Sequence, residues 1–409
     1  MSKSISAEEV RPLMNALLAW FLLAMILANL GGNMYGPLLP LYLEELGASV
    51  IQVGLFFTLS QIVPLGLQIF GGWISDSLGR LRAIAIGSVI GMLAYIPLML
   101  APRWEWVLLA SVLGAFTGAL VAPSFEAFIA EQTQEHERGR LFGLSEAIFS
   151  IVNVLGPFIG GRLAQERGFR FMLLVAASLY LVATVMRVVM ARRLNGSKKS
   201  AQLSWTELKA NLGTLIGLIT AGGVVTWILL TDGIRDISFA LSMNLLPLYL
   251  QEQMGLNVAE IGTLNSLFGL AMMLTLFPAG MFSDRLGERW GIALGMALLG
   301  IGISLLTFLP TSLPFWAYGI GWGLAGIGAG LVTPAYQSLL SKVVPQELRG
   351  TAFGLLGTSL GLVALPAPWL GGLLWDKIHP RFPFVITIAG CFLLILPIMR
   401  KFYLKREGD

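Results

Sequence analysis

The stretch Gly71-Gly72-Trp73-Ile74-Ser75-Asp76-Ser77-Leu78-Gly79-Arg80-Leu81-Arg82 is a short charged turn between two long apolar segments. It returns as Ala279-Gly280-Met281-Phe282-Ser283-Asp284-Arg285-Leu286-Gly287-Glu288-Arg289, with the aspartates 208 residues apart in a chain of 409. One such turn means little. Two, at half-length spacing and each between apolar segments, describe a chain built from two related halves.

Composition sets the solvent. Hydrophobic residues make up 56% of the chain and charged residues only 12%, against about 25% charged in a soluble domain. The apolar residues fill the whole length, so the deficit is not one local anchor. A bilayer-crossing helix needs about 20 apolar residues, and spans can be placed near 13–43, 50–74, 82–101, 106–130, 140–164, 170–190, 220–250, 261–282, 290–309, 315–340, 351–375 and 383–399. The fold class is therefore an all-α membrane protein of twelve spans. The apolar run after the polar N-terminus is too long for a signal-peptide core and is kept as span 1. The polar, basic stretch Ala191 to Ser200 reads as a linker, and Ser204-Trp205-Thr206-Glu207 as a capping box opening a helix along the membrane surface. The expected organisation is a six-helix unit over 1–190, a linker with an interfacial helix over 191–219, and a second six-helix unit over 220–409.

Orientation follows from counting cations. With the N-terminus inside, inner loops and termini hold nineteen of the Lys and Arg residues and outer loops six. That is a positive-inside bias, which places both termini and both charged turns in the cytoplasm. Trp73, Trp104, Trp106, Trp205, Trp290, Trp316 and Trp375 fall near span ends, where an amphipathic ring suits the headgroup region. Gly114/Gly118, Gly156/Gly160, Gly326/Gly330 and Gly357/Gly361 have the spacing of close helix crossings. The net charge of +4 is spread over short loops and is no nucleic-acid footprint.

The repeat is wider than the turn. Leu39-Pro40-Leu41-Tyr42-Leu43 matches Leu246-Pro247-Leu248-Tyr249-Leu250 at an offset of 207. Pro123 matches Pro334, Arg138-Gly139 matches Arg349-Gly350, and Pro157 with Gly160-Gly161 matches Pro368 with Gly371-Gly372, all at 211. Parallel six-helix repeats point to alternating access around a central site. Two such halves with a Gly-x-x-x-Asp-x-x-Gly-Arg turn after span 2 and its echo after span 8 resemble the major facilitator superfamily. The resemblance implies a cytoplasmic gate of Gly72, Asp76, Gly79, Arg80, Glu131, Gly280, Asp284, Arg285 and Gly287, with Asp76 meeting span 11 near Gly350, Asp284 meeting span 5 near Gly139, and Arg80 pairing with Glu131. Ser77 stands where the family's turn usually has arginine. Gly156-Pro157-Phe158-Ile159-Gly160-Gly161 in span 5 is similar to the end of the family's antiporter and drug-exporter pattern. Val152 departs from it, and these residues could equally serve only to bend and pack the helix. The arginine that many proton-coupled members carry in span 4 is Ala110 here.

Asp232, Arg235 and Asp236 are the sharpest site residues. At i, i+3 and i+4 they share a helix face, and the repeat aligns them with Met25, Ala28 and Asn29. Each charge at mid-bilayer costs about 2.5–3.5 kcal/mol, which pairing and a watery cavity would offset. Arg235 would keep one carboxylate ionised, leaving the other to take up and release a proton against substrate. Two alternatives stay open: residues 212–230 could themselves span, leaving 231–236 as a loop, or the cluster could be a structural charge network. Asn29, Asn33, Gln61, Gln68, Asn153 and Asn265 are the remaining cavity residues expected; each could instead make a hydrogen bond between helices. Glu126 and Tyr336-Gln337 are ambiguous in the same way.

Enzyme chemistry finds no footing. His136 and His379 fall in loops on opposite faces, so no metal site is expected, and no phosphate loop is present. No cofactor is expected. The expected function is a secondary transporter of the plasma membrane, working as a monomer with a small-molecule substrate and protons and exporting amphipathic, drug-like compounds. Uptake, sugar or lipid transport on the same fold, or a non-transporting receptor, are the alternatives.

Overall fold

A computed structural model describes residues 16–67, 79–132, 138–193, 223–344 and 361–403. Those residues are helical almost throughout, with no strand among them. In order they form α1 (Ala16–Tyr35), α2 (Leu39–Glu45), α3 (Val50–Ser60), α4 (Arg80–Leu100), α5 (Glu105–Gln132), α6 (Arg138–Arg167), α7 (Phe169–Arg193), α8 (Val224–Ser242), α9 (Leu246–Glu252), α10 (Val258–Leu286), α11 (Glu288–Phe308), α12 (Phe315–Val343), α13 (Ala367–Lys377) and α14 (Phe382–Lys401). Ten helices among the described residues are long and apolar enough to cross a membrane. The other two expected spans fall on 224–252, which carries four charges, and on 351–377, whose first ten residues lie outside the described set. The linker, its capping box at Ser204 and Glu207, and Trp205 lie outside it too.

The repeat sets the local geometry. Pro40 and Pro247 cannot donate to the helix before them, so α1 and α8 each pass through a 3-10 turn, at Gly36–Leu38 and Met243–Leu245, before α2 and α9 resume. The tyrosines of the repeated Leu-Pro-Leu-Tyr-Leu are buried in matching roles. Tyr42 donates to the Leu98 carbonyl at 2.7 Å and Tyr249 to the Thr307 carbonyl at 2.8 Å. Capping boxes at Ser49/Gln52 and Asn257/Glu260 start α3 and α10, a pair the sequence reading did not pick out. Span 2 is not one unbroken helix. It turns at Gln61, where Pro64 has no N–H to return to Ser60.

Gly79 and Gly287 precede α4 and α11 with φ of +84° and +97°, a region open to glycine and strained for other residues. These two turns mark one end of the molecule, the turn end. At the opposite end the halves meet through glycine. A Cβ at Gly262 of α10 would lie 2.4 Å from the Pro157 carbonyl of α6, and one at Gly54 of α3 would lie 2.3 Å from the Pro368 carbonyl of α13. The two crossings are the same contact made twice. Within each half the repeat also matches, Gly160 lying against the Met34 carbonyl and Gly371 against that of Leu241.

Two expectations change. Gly114 and Gly118 face open space and line a cavity instead of a helix crossing, whereas Gly326 and Gly330 do make one, against the Phe268 and Met272 carbonyls. Trp104 and Trp375 are buried in the core, while Trp106, Trp290 and Trp316 are exposed.

Candidate functional site

Residues 231–236 lie on α8 and not in a loop, because the Val224–Ser242 helix runs through them. The three charges therefore share a face. Arg235 reaches Asp232 Oδ1 from Nη1 at 2.9 Å and Asp236 Oδ1 from Nη2 at 2.9 Å, and its Nε donates to the same Asp236 oxygen at 3.1 Å. The guanidinium lies 4.9 Å over the ring of Tyr336 from α12, and the Tyr336 hydroxyl is 3.2 Å from Thr231 Oγ1. Asp232 faces inward and is nearly covered; Asp236 is the open end of the triad.

That open end meets a cavity of about 720 Å³ lined by Arg235 and Asp236 and walled by Phe57, Phe239, Phe268, Trp322 and Tyr336. Phe268 and Trp322 pack with centroids 4.7 Å apart and ring planes tilted by 30°. A second cavity, about 930 Å³, is lined by Gln61, Gly114, Pro123, Glu126 and Pro368, and Asn244 belongs to both walls. It runs from the glycine crossings towards Glu126 near the turn end of α5. The pair of cavities can hold an amphipathic molecule with an aromatic part against the rings and a charged part at Asp236.

The other expected cavity residues divide. Gln61 and Asn265 line cavities. Asn29, Asn33 and Asn265 spend an amide N–H on their own helix, donating to the carbonyls of Met25, Asn29 and Ile261. Asn153 lines neither cavity; its backbone carbonyl lies 3.5 Å from where a Cβ at Gly269 would sit. Gln68 lies outside the described residues. Of the gate, Gly79, Arg80, Glu131, Gly280, Arg285 and Gly287 are described; Gly72 and Asp76 are not, nor is the Asp284 side chain. Arg80 Nε lies 3.2 Å from Glu131 Oε1. In span 5, Gly156 packs on Asn33, Gly160 on Met34, and Pro157 and Gly161 on Gly262.

Sequence reasoning missed the aromatic wall and Asn244. Phe239 sits one turn beyond Arg235, and that i, i+4 spacing was the available signal. It also passed over Arg187. This arginine is 2% exposed on α7 and donates to Ser88 Oγ at 2.8 Å, the Ala24 carbonyl at 3.3 Å and Met25 Sδ at 2.9 Å. Met25 is the repeat partner of Asp232, so each half holds an arginine at this level, buried on α7 in the first and open to the cavity on α8 in the second.

Comparison with known proteins agrees with this architecture. The family model described as Major Facilitator Superfamily matches twice, over residues 21–234 and 228–409. The Quinolone resistance protein NorA of Staphylococcus aureus (strain COL) is 26% identical over 393 residues, covering 93% of this chain and 96% of that protein. The Multidrug resistance protein MdtG of Citrobacter koseri is 27% identical over 393 residues, covering 93% and 92%. Among solved structures, the peptide transporter POT in complex with sulfate superposes with a TM-score of 0.74 at 14% identity, covering 95% of each chain. The D-xylose-proton symporter does so at 0.71 and 16%, covering 94% and 97%. At such identities the structures speak for the fold alone.

Proposed function

The chain belongs to the major facilitator superfamily, transporters of small molecules and not enzymes, and we propose that it exports amphipathic, drug-like compounds across the plasma membrane in exchange for protons. The observation that carries this reading is the Asp232–Arg235–Asp236 triad opening through Asp236 onto an aromatic-walled cavity. With both acids ionised the triad carries a net charge of −1. A proton and a cationic substrate then compete for one charge, which is the simplest way to couple their movements in opposite directions. Aromatic walls hold a flat apolar body and a carboxylate holds its cation. The drug-resistance names of NorA and MdtG, at 26% and 27% identity, support the same class of cargo.

In this reading residues 1–190 and 220–409 rock as two units joined by the linker 191–219, a single chain sufficing. The turn end is cytoplasmic, with both termini. The glycine crossings then close the outer side, and the cavities face inward. Asp76, Asp284 and their partners would latch the cytoplasmic side once the units rock over.

The test is a pH-gradient-driven dye assay in inverted vesicles carrying wild type, Asp232→Asn or Asp236→Asn at matched expression. Wild type is expected to accumulate a cationic dye when the gradient is imposed, and both variants to lose the gradient dependence. Gradient-driven accumulation unaltered in both variants would remove the triad from coupling.

A further inference from the structure

A groove of about 510 Å³ lies outside both central cavities, between α4 and α7 at the turn end. Ile86, Val89 and Ile90 of α4 and Val188 of α7 form its apolar walls, and Arg82 and Arg192 stand at its mouth. Positions 82, 86, 89 and 90 share one face of α4. Ile86 and Val89 are 43% and 44% exposed, so the groove opens outward, onto what is hydrocarbon in a membrane. Arg82 is in the first turn of α4 and Arg192 in the last turn of α7, which puts both cations at one membrane face.

We propose that this groove binds an anionic phospholipid, its phosphate between Arg82 and Arg192 and an acyl chain along Ile86, Val89 and Val188. Neither arginine makes an ion pair among the described residues, whereas Arg80, two positions before Arg82, pairs with Glu131. The start of α4 adds to the field. Gly79 supplies no side-chain cap, and the positive end of the helix dipole lies at the same end of α4 as Arg82. Basic pockets between membrane helices recognise anionic headgroups through this combination of cations and apolar wall.

The feature is not a requirement of the fold. Carried through the repeat, Arg82 corresponds to Trp290 and Arg192 to Tyr403. The second half thus has two aromatic rings where the first has two cations, and Tyr403 is covered by Arg289 at 4.7 Å. Those two positions therefore lack the pair of cations.

The test uses the purified full chain with phosphatidylglycerol, phosphatidylcholine or inorganic phosphate added, read by lipid retention in native mass spectra and by thermal unfolding. Wild type is expected to retain phosphatidylglycerol several-fold over phosphatidylcholine and to gain several degrees in Tm from it alone. Arg82→Gln/Arg192→Gln is expected to retain the two lipids equally. Ile86→Trp, which fills the groove and keeps both cations, is expected to lose retention as well and stands independently if the double variant does not fold. Equal retention of both lipids by wild type, or a preference that survives Ile86→Trp, would overturn the proposal. A Tm gain reproduced by inorganic phosphate would assign the cations to a soluble anion and overturn it equally.

Discussion

Glu288 at the start of α11 pairs with Lys342 at the end of α12, and in the repeat these positions answer to Arg80 and Glu131 with the charges exchanged. Both pairs join the same two helices of their half at the turn end, so the brace is kept while its polarity is not. They differ in burial. The Glu288 side chain is 7% exposed and also accepts from Ser338 Oγ at 3.0 Å, whereas the Glu131 side chain is 54% exposed. Lys342→Gln leaves a covered carboxylate without its cation and is expected to cost about 1–3 kcal/mol. Glu131→Gln breaks an exposed pair and is expected to cost about 0–1 kcal/mol. Thermal unfolding of the two purified variants checks the order, and equal losses would contradict it.

Arg235 serves two acids, and they do not depend on it equally. Removing the guanidinium leaves Asp232, 9% exposed, as an unpaired charge in a covered place, which is expected to cost about 3–5 kcal/mol. Asp236 is open to the cavity and water can solvate it. Arg235→Gln should therefore be strongly destabilised, and adding Asp232→Asn should restore much of the loss. Adding Asp236→Asn instead should restore little. Equal rescue by either asparagine would show that the two carboxylates are equivalent, against the geometry seen.

Much of this was legible beforehand for identifiable reasons. The Asp76 and Asp284 turns, the Leu-Pro-Leu-Tyr-Leu pair and the constant offset fixed the repeat, because duplicated backbone geometry needs glycine and proline at duplicated places. The triad was legible because charge inside an apolar segment is conspicuous. The aromatic wall was not. Phe239, Phe268 and Trp322 look like any apolar residue in a membrane helix, and only the tertiary fold says which of them face the cavity. Asn29 and Asn33 each spend one amide N–H on the carbonyl one turn back, a local bond that residue type alone does not announce. Arg187 was passed over because its partners come from α1 and α4, which no local pattern connects.

The glycine contacts separate folding from conformational balance. A Cβ at Gly160 would lie 1.9 Å from the Met34 carbonyl within the first half, a contact that no rocking of the halves relieves. Gly160→Ala is expected to lower expression and thermal stability by several kcal/mol. At Gly262 the clash, 2.4 Å from the Pro157 carbonyl, is between halves and disappears if that end opens. Gly262→Ala is expected to fold and to shift the population towards the state open at that end. Distances between spin labels on α6 and α10 would lengthen in Gly262→Ala. Unchanged distances in a stable Gly262→Ala protein would refute a rocking interface at this crossing.

The last question is which cavity holds the cargo. The cavity beside the triad offers five aromatic rings and a carboxylate, and the larger one offers Gln61, Glu126 and small residues. Phe239→Leu keeps an apolar side chain of similar bulk and removes one π face. A face over a cation is worth about 0.5–1 kcal/mol when exposed and about 2 when desolvated, so a lipophilic cationic dye should bind roughly 2- to 30-fold more weakly. A neutral dye of the same shape should bind nearly as before, because apolar contact survives the change. Gln61→Leu should leave both dyes within about twofold if the aromatic cavity is the binding place, since a single exposed polar contact contributes little. Fluorescence titration of the two dyes against the two variants decides the matter. Loss of cationic dye binding in Gln61→Leu alone would move the site to the larger cavity and leave Asp236 facing the cargo only from a distance.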